Sequence, residues 1–211
     1  MKFDLHMHTS RHSPDSITDP FDLVRSAIEA GLDGIVITDH DYWWPDAELQ
    51  ELRDTAPELV ILAGVEVTAR GGDMLCYGIT DPFKLPRGIA WPELCREVHR
   101  QGGAAIAAHP NRWGQPFEKI IKEQKPELDG IEVMSNNMDD DLRTQAAKLL
   151  MKFPHFAKPG NSDSHDPATV GCCYTDFDAQ IRTAADLVKA ICERKGIARV
   201  NQGARENAAA R

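Results

Sequence analysis

The chain has 211 residues, 42% of them apolar and 27% charged, with a net charge of −9 at pH 7. That length supports one domain with a sizeable core, and the balance is that of a soluble globular protein. No apolar run is long enough to span a membrane, and the acidic surplus argues against nucleic-acid or membrane binding through a basic face. It leaves room for an anionic substrate, because bound cations invert the local sign. Five cysteines, two of them adjacent at Cys172-Cys173, suggest no disulfide framework, and no Cys-x-x-Cys pair is present. The N-terminus runs straight into a charged strand instead of a secretory pattern, so a reducing, cytoplasmic setting is expected.

The first apolar run leads into Asp4-Leu5-His6-Met7-His8-Thr9. Strand side chains alternate faces, so His6 and His8 share one face, with Asp4 a layer behind. Asp19 as N-cap and Pro20 at the first helical position open a helix carrying Leu23, Val24, Ala27 and Ile28, and Gly31 stops it. Residues 34–38 form a buried strand ending in Asp39-His40. Residues 59–65 form another ending at Glu66, and 74–79 a shorter one. Trp91-Pro92 opens a helix closed by Gly102-Gly103. The strand at 104–108 ends at His109-Pro110, and that at 131–134 leads to Ser135-Asn136. Residues 141–151 are helical, 156–159 lead into Gly160-Asn161-Ser162-Asp163-Ser164-His165, and 184–194 form the last helix. Residues 1–200 are read as one domain, and the Ala-rich residues 201–211 as a frayed tail.

Strand–helix alternation with nearly continuous apolar strands predicts a mostly parallel sheet covered on both faces. About seven such units point to an α/β fold of the small or irregular barrel type, with a doubly wound open sheet as the alternative. In a parallel barrel all strand C-termini open on one face. His6, His8, His40, Glu66, His109, Asp163 and His165 all sit at such ends. Five imidazoles and two carboxylates converging there are costly to desolvate unless paired or metallated. A multinuclear metal site follows. Tyr42-Trp43-Trp44 is read as rim packing or a stacking surface, Cys172 and Cys173 as packing residues, and His99 and His155 as structural or surface groups. Asp4 and Asp39, beside ligand positions, are expected to orient the imidazoles.

Five ordered stretches, Asp4-Leu5-His6-Met7-His8-Thr9, Ile37-Thr38-Asp39-His40, Gly64-Val65-Glu66-Val67-Thr68, Ala108-His109-Pro110 and Ser162-Asp163-Ser164-His165, resemble the motifs of the PHP (polymerase and histidinol phosphatase) family. The resemblance runs from residue 4 to about residue 171. It implies a distorted (β/α)7 barrel, TIM-barrel-like, with two to three divalent ions (Zn, Mn or Fe), and phosphoester hydrolysis in most members. Carried over motif by motif, it gives His6, His8, Glu66 and Asp163 to one metal. Glu66 and His109 go to a second, and Asp15, His40 and His165 to a third. His12 competes with Asp15 for its place. Many members carry a histidine on the strand after the glutamate motif. Here Asp73 stands at about that place, as a ligand or a turn residue.

Glu66, Asp163 and His165 are the expected catalytic residues, with Arg112 and Asn136 as substrate contacts. The expected reaction is hydrolysis of a small phosphorylated substrate, a nucleotide or sugar phosphomonoester, by a hydroxide bridged between metals. A metal-dependent C–N hydrolase and a non-catalytic partner module are the alternatives.

Overall fold

The computed structural model describes residues 1–201. Among these, eight strands form a single curled sheet with six α-helices around it. In chain order they are β1 (Lys2–Asp4), α1 (Pro20–Glu29), β2 (Gly34–Ile37), α2 (Asp46–Thr55), β3 (Val60–Ala69), β4 (Gly72–Tyr77) and α3 (Trp91–Arg100). There follow β5 (Ala104–Ala107), α4 (Phe117–Gln124), β6 (Gly130–Ile131), α5 (Asp140–Lys152), β7 (Cys173–Phe177), α6 (Ala184–Cys192) and β8 (Gly196–Val200).

Local chemistry sets the helix ends. The Asp19 carboxylate accepts from the Phe21 amide at 2.9 Å and Pro20 opens α1, which buries Leu23, Val24 and Ala27. Gly31, at φ +71°, then turns the chain out of the helix. Thr183 and Asp186 form a reciprocal capping box at the start of α6. Every residue of β2 and β5 is buried, because α1 and α2 cover one stretch of the sheet and α3 and α4 another. At Gly34 a Cβ would lie 2.3 Å from the buried Phe3 ring, so a larger residue there would require that ring to move.

The sheet order is β6-β5-β4-β3-β2-β1-β7-β8. It is mixed, which corrects the mostly parallel sheet expected from the alternation. The pairs β1–β2, β2–β3 and β5–β6 are parallel; β3–β4, β4–β5, β1–β7 and β7–β8 are antiparallel. The reversal between β3 and β4 is a tight hairpin through Gly71 and Gly72, at φ +111° and +146°, so no crossover helix separates them. Parallel bridges at Gly130↔Ala157, Met134↔Gly160 and Met7↔Ser164 place residues 157–164 beside β6 on one side and the continuation of β1 on the other. β6 is thus shorter than its apolar run predicts.

Two helices escape the pattern reading. α2 buries only Leu49 and Leu52, and α4 follows Pro116 with a single turn's worth of apolar residues. The strands β7 and β8 also escape it; their burial alternates, so they lack the continuous apolar run that marks the others. Asn201, placed in the frayed tail by composition, is anchored: its amide donates to the Cys172 carbonyl at 2.9 Å and its side chain to the Ala30 carbonyl at 3.0 Å. The rest of the expected tail lies outside the described residues. Among the described residues no helix is long and apolar enough to cross a membrane.

Candidate metal centre

Beyond β1 the chain stays extended, held by the Met7 amide on Thr38 Oγ1 at 3.1 Å and the Thr38 amide on the Met7 carbonyl at 3.0 Å. Leu5 and Met7 face the core, and His6 and His8 turn to the other side; all four are fully buried. The two Nε2 atoms stand 3.1 Å apart. Glu66 projects from β3 between them. Its Oε2 lies 3.0 Å from His6 Nε2, 3.1 Å from His8 Nε2 and 3.3 Å from His40 Nδ1, while its Oε1 meets His109 Nε2 at 3.1 Å. Asp163 enters from the segment beside β1 on a left-handed backbone, φ +51°, with Oδ1 3.3 Å from His6 Nε2.

Three donor groups result, each with its atoms within 4.8 Å of one another: His6, His8, Glu66 and Asp163; Glu66, Asp73 and His109; and His8, His40 and His165. Asp15 flanks the last, its Oδ2 3.3 Å from both His40 Nε2 and His165 Nε2. Asp73 stands with Glu66 and His109. His12 turns elsewhere: its Nε2 meets Glu48 Oε2 at 2.9 Å and its ring stacks on Tyr42 at 3.6 Å.

Burial opposes charge on His6, yet Asp163, Glu66 and Glu132 together hold its imidazolium well above the ordinary histidine range. His8, equally desolvated, is pushed up to about 9 by Asp163 and Glu66. Burial alone would raise Glu66 and Asp163, but the facing imidazoles hold both carboxyls well below their usual range. Burial and then Glu66 raise Asp73. Burial and His8 lower His165.

The donor chemistry fits divalent cations. Two imidazole nitrogens at 3.1 Å satisfy each other only when one carries a proton and the other does not, whereas a cation takes both lone pairs. His109 Nδ1 is buried without a hydrogen-bond partner among the described residues.

Arg112 reaches Asp163 Oδ2 at 3.3 Å and lies 4.4 Å from the centroid of the exposed Trp113 ring. Beside it opens a cavity of about 270 Å³ lined by Arg112, Asn136, Asn137, Asp163 and His165, among others. Trp44 is fully buried, donating to Asp39 at 2.7 Å, so that part of the aromatic run is packing. His99 is paired with Asp129 at 2.8 Å. Asp4 and Asp39 touch no imidazole ring, which corrects the role expected of them. Asp4 accepts from the Ser162 and Gly171 amides at 2.9 and 3.0 Å, and Asp39 from Thr9 and Trp44. Each is drawn to buried donors that would otherwise be unsatisfied, Asp4 to backbone amides and Asp39 to one backbone amide, a hydroxyl and an indole N–H.

Three residues passed over in the sequence meet the rings instead or brace what does: Glu132 and Ser13 face His6 Nδ1 and His8 Nδ1 at 3.2 and 3.3 Å, and Asn161 bonds Glu132 at 2.9 Å. The signal available for Glu132 is one carboxylate inside the apolar run at 131–134.

Two family models match the chain: the PHP domain over residues 4–148 and a PHP-associated region over residues 143–195. Uncharacterized protein MJ1587 of Methanocaldococcus jannaschii is 28% identical over 171 residues, 74% of this chain and 96% of that one. A two-domain protein from Bacteroides vulgatus, containing a predicted PHP-like metal-dependent phosphoesterase, superposes with a TM-score of 0.74 at 21% identity over 95% of this chain. The lesion-specific endonuclease PfuEndoQ of Pyrococcus furiosus gives 0.69 at 17% identity over 94%. The chain spans 65% and 57% of those two longer proteins. With the family model covering residues 4–148 and the ordered motifs meeting in one cluster, the chain belongs to the PHP domain family.

Proposed function

We propose that this chain hydrolyses a phosphomonoester, of the nucleotide or sugar-phosphate class, at the buried cluster. The observation that carries the reading is the contact of two of the three metal-type donor groups, through Asp163 and His165, with an open cavity presenting Arg112, Asn136 and Asn137. PHP domains are metal-dependent. In this reading His6, His8, Glu66 and Asp163 hold one ion, Glu66, Asp73 and His109 a second, and Asp15, His40 and His165 a third. When bound, two to three ions (Zn, Mn or Fe) supply Lewis acidity toward phosphoryl oxygens and bring the pKa of a water toward neutrality.

The remaining parts belong to the chain itself. Glu66 and Asp163 stay ionised in a desolvated position because imidazoles surround them. Arg112 brings a permanent charge to the cavity, in a planar fork that matches two phosphoryl oxygens, and its stack on Trp113 limits its freedom. Asn136 offers an amide donor and acceptor at the cavity wall. Asn137 Nδ2 donates to the Asp163 carbonyl at 2.8 Å and braces its left-handed turn. His165 stands at the cavity edge, its Nδ1 donating to the Asp163 carbonyl at 3.1 Å, which leaves the Nε2 lone pair for the outer ion. No serine or cysteine nucleophile is required. A cytoplasmic setting belongs to the same reading, supported by the buried, free thiols of Cys76 and Cys95.

The test is phosphate release from a panel of nucleotide and sugar monophosphates with added Mn²⁺, each repeated with a chelator. Chelator-sensitive release from one group of substrates is the expected outcome. The fold likeness to an endonuclease calls for a single-stranded oligonucleotide arm, and the alternative chemistry for an amide arm. Turnover confined to either of those arms would overturn the phosphomonoester reading.

A further inference from the structure

Glu132 lies just past β6, fully buried, and all three groups that meet its carboxylate are nitrogens of the site or of its immediate frame. Oε1 faces His6 Nδ1 at 3.2 Å and accepts from Asn161 Nδ2 at 2.9 Å. Oε2 accepts from the His109 amide at 2.9 Å. The Asn161 amide is itself oriented, because its Oδ1 accepts from the Leu5 amide at 3.2 Å. One carboxylate therefore clamps the strand that carries His6 and the strand end that carries His109. His8 Nδ1 faces the Ser13 hydroxyl, at 3.3 Å, His109 Nδ1 has no hydrogen-bond partner among the described residues, and the carboxylates that meet His40 and His165 are those of the candidate ligands Glu66, Asp15 and Asp163.

We infer that Glu132 is a positioning residue that fixes the tautomer of His6, keeping the proton on Nδ1 and the bare Nε2 lone pair aimed into the cluster, and thereby makes the His6–His8–Glu66–Asp163 group the tightest cation position of the three. Acceptor-only carboxylate oxygens face both ring nitrogens, Glu132 at Nδ1 and Glu66 at Nε2; a cation bound at Nε2 would displace the proton there, and the proton held by Glu132 on Nδ1 would stay. Nε2 is then left free for the cation, and the anion behind the ring raises its basicity as a ligand. A serine hydroxyl both donates and accepts, so Ser13 imposes no such choice on His8.

Glutamine in place of Glu132 is nearly isosteric but carries one acceptor and one two-proton donor. All three partners donate, so its amide NH₂ must face a donor on one side or the other. The inference rests on the metal reading above, but it is read through ring protonation and metal affinity, not phosphate release, so the substrate reading can fail without it.

The experiment compares wild type and Glu132→Gln, both checked for folding by circular dichroism. The zinc dissociation constant is measured by competition with a graded chelator, and ring ¹⁵N shifts of His6 in the Zn²⁺-loaded wild type report its tautomer. The expected results are a roughly 10- to 100-fold weaker tightest site in Glu132→Gln, and a His6 ring in the wild type protonated at Nδ1. Wild-type zinc affinity in the folded variant overturns the inference. So does a wild-type His6 ring protonated at Nε2, a reading that needs no variant to fold. A wild-type chain that takes up no zinc overturns the metal reading and this inference together.

Discussion

The inner and outer halves of the donor cluster are built differently. His6, His8, Glu66 and Asp163 have side chains at most 1% exposed, and carboxylate, hydroxyl and amide groups brace them from behind. His40, His165 and Asp15 stand at the edge, with side chains 27%, 26% and 51% exposed, and the last two line the cavity. A buried donor set loses little entropy when it takes a cation and gains nothing from water in its absence. A half-exposed set competes with solvent for the ion. The inner group is thus suited to keep a metal, and the outer one to exchange it or share it with substrate.

The largest break in that comparison is Asp163→Ala. It removes an inner carboxylate and strands Arg112, so metal per chain is expected to fall and kcat/KM for the best substrate to drop by about 10³-fold or more. Elemental analysis after dialysis and steady-state kinetics check it; retention of the full metal content would mean the inner group is not the tight one. Asp15→Ala tests the outer half. It is expected to leave the inner metal in place and to weaken the outer position by roughly 10- to 100-fold, seen as a rate restored by excess Mn²⁺. Loss of the inner metal in this variant would erase the distinction between the halves. The smallest effect belongs to His12→Ala. His12 is tied to Glu48 and Tyr42, so a stability loss under about 1 kcal/mol is expected from a partly exposed pair, with unchanged metal stoichiometry. A fall in metal content would return His12 to the cluster.

Much of this molecule is legible in its sequence because local rules produced it. The Asp19-Pro20 start and Gly31 stop of α1 follow from unpaired helix-end amides and from the one residue that turns left-handed without strain. The continuous apolar runs at 34–38 and 104–108 announce strands covered on both faces. The His-x-His spacing places two rings on one side of an extended chain, a consequence of the two-residue strand period.

Other features depend on partners far away in the chain. The Gly71-Gly72 reversal makes β4 antiparallel, and period-two or apolar patterning carries no information on strand direction. Asp4 and Asp39 stand next to ligand positions in sequence, yet the Asp4 oxygens go to backbone amides as far off as Gly171, and those of Asp39 to the Thr9 amide and hydroxyl and the Trp44 indole. Glu132 stands between apolar neighbours with no motif around it, yet its carboxylate meets His6, 126 residues away. A side chain's type and spacing are written locally, so the sequence by itself determined which donors exist, but not that Glu66 lies inside β3 instead of at its end, nor that Asp163 and His165 sit on a segment outside the named strands. Which unpaired donor each buried carboxylate must satisfy is decided only when the sheet curls and brings distant segments into hydrogen-bond reach, and that belonged to the tertiary structure alone.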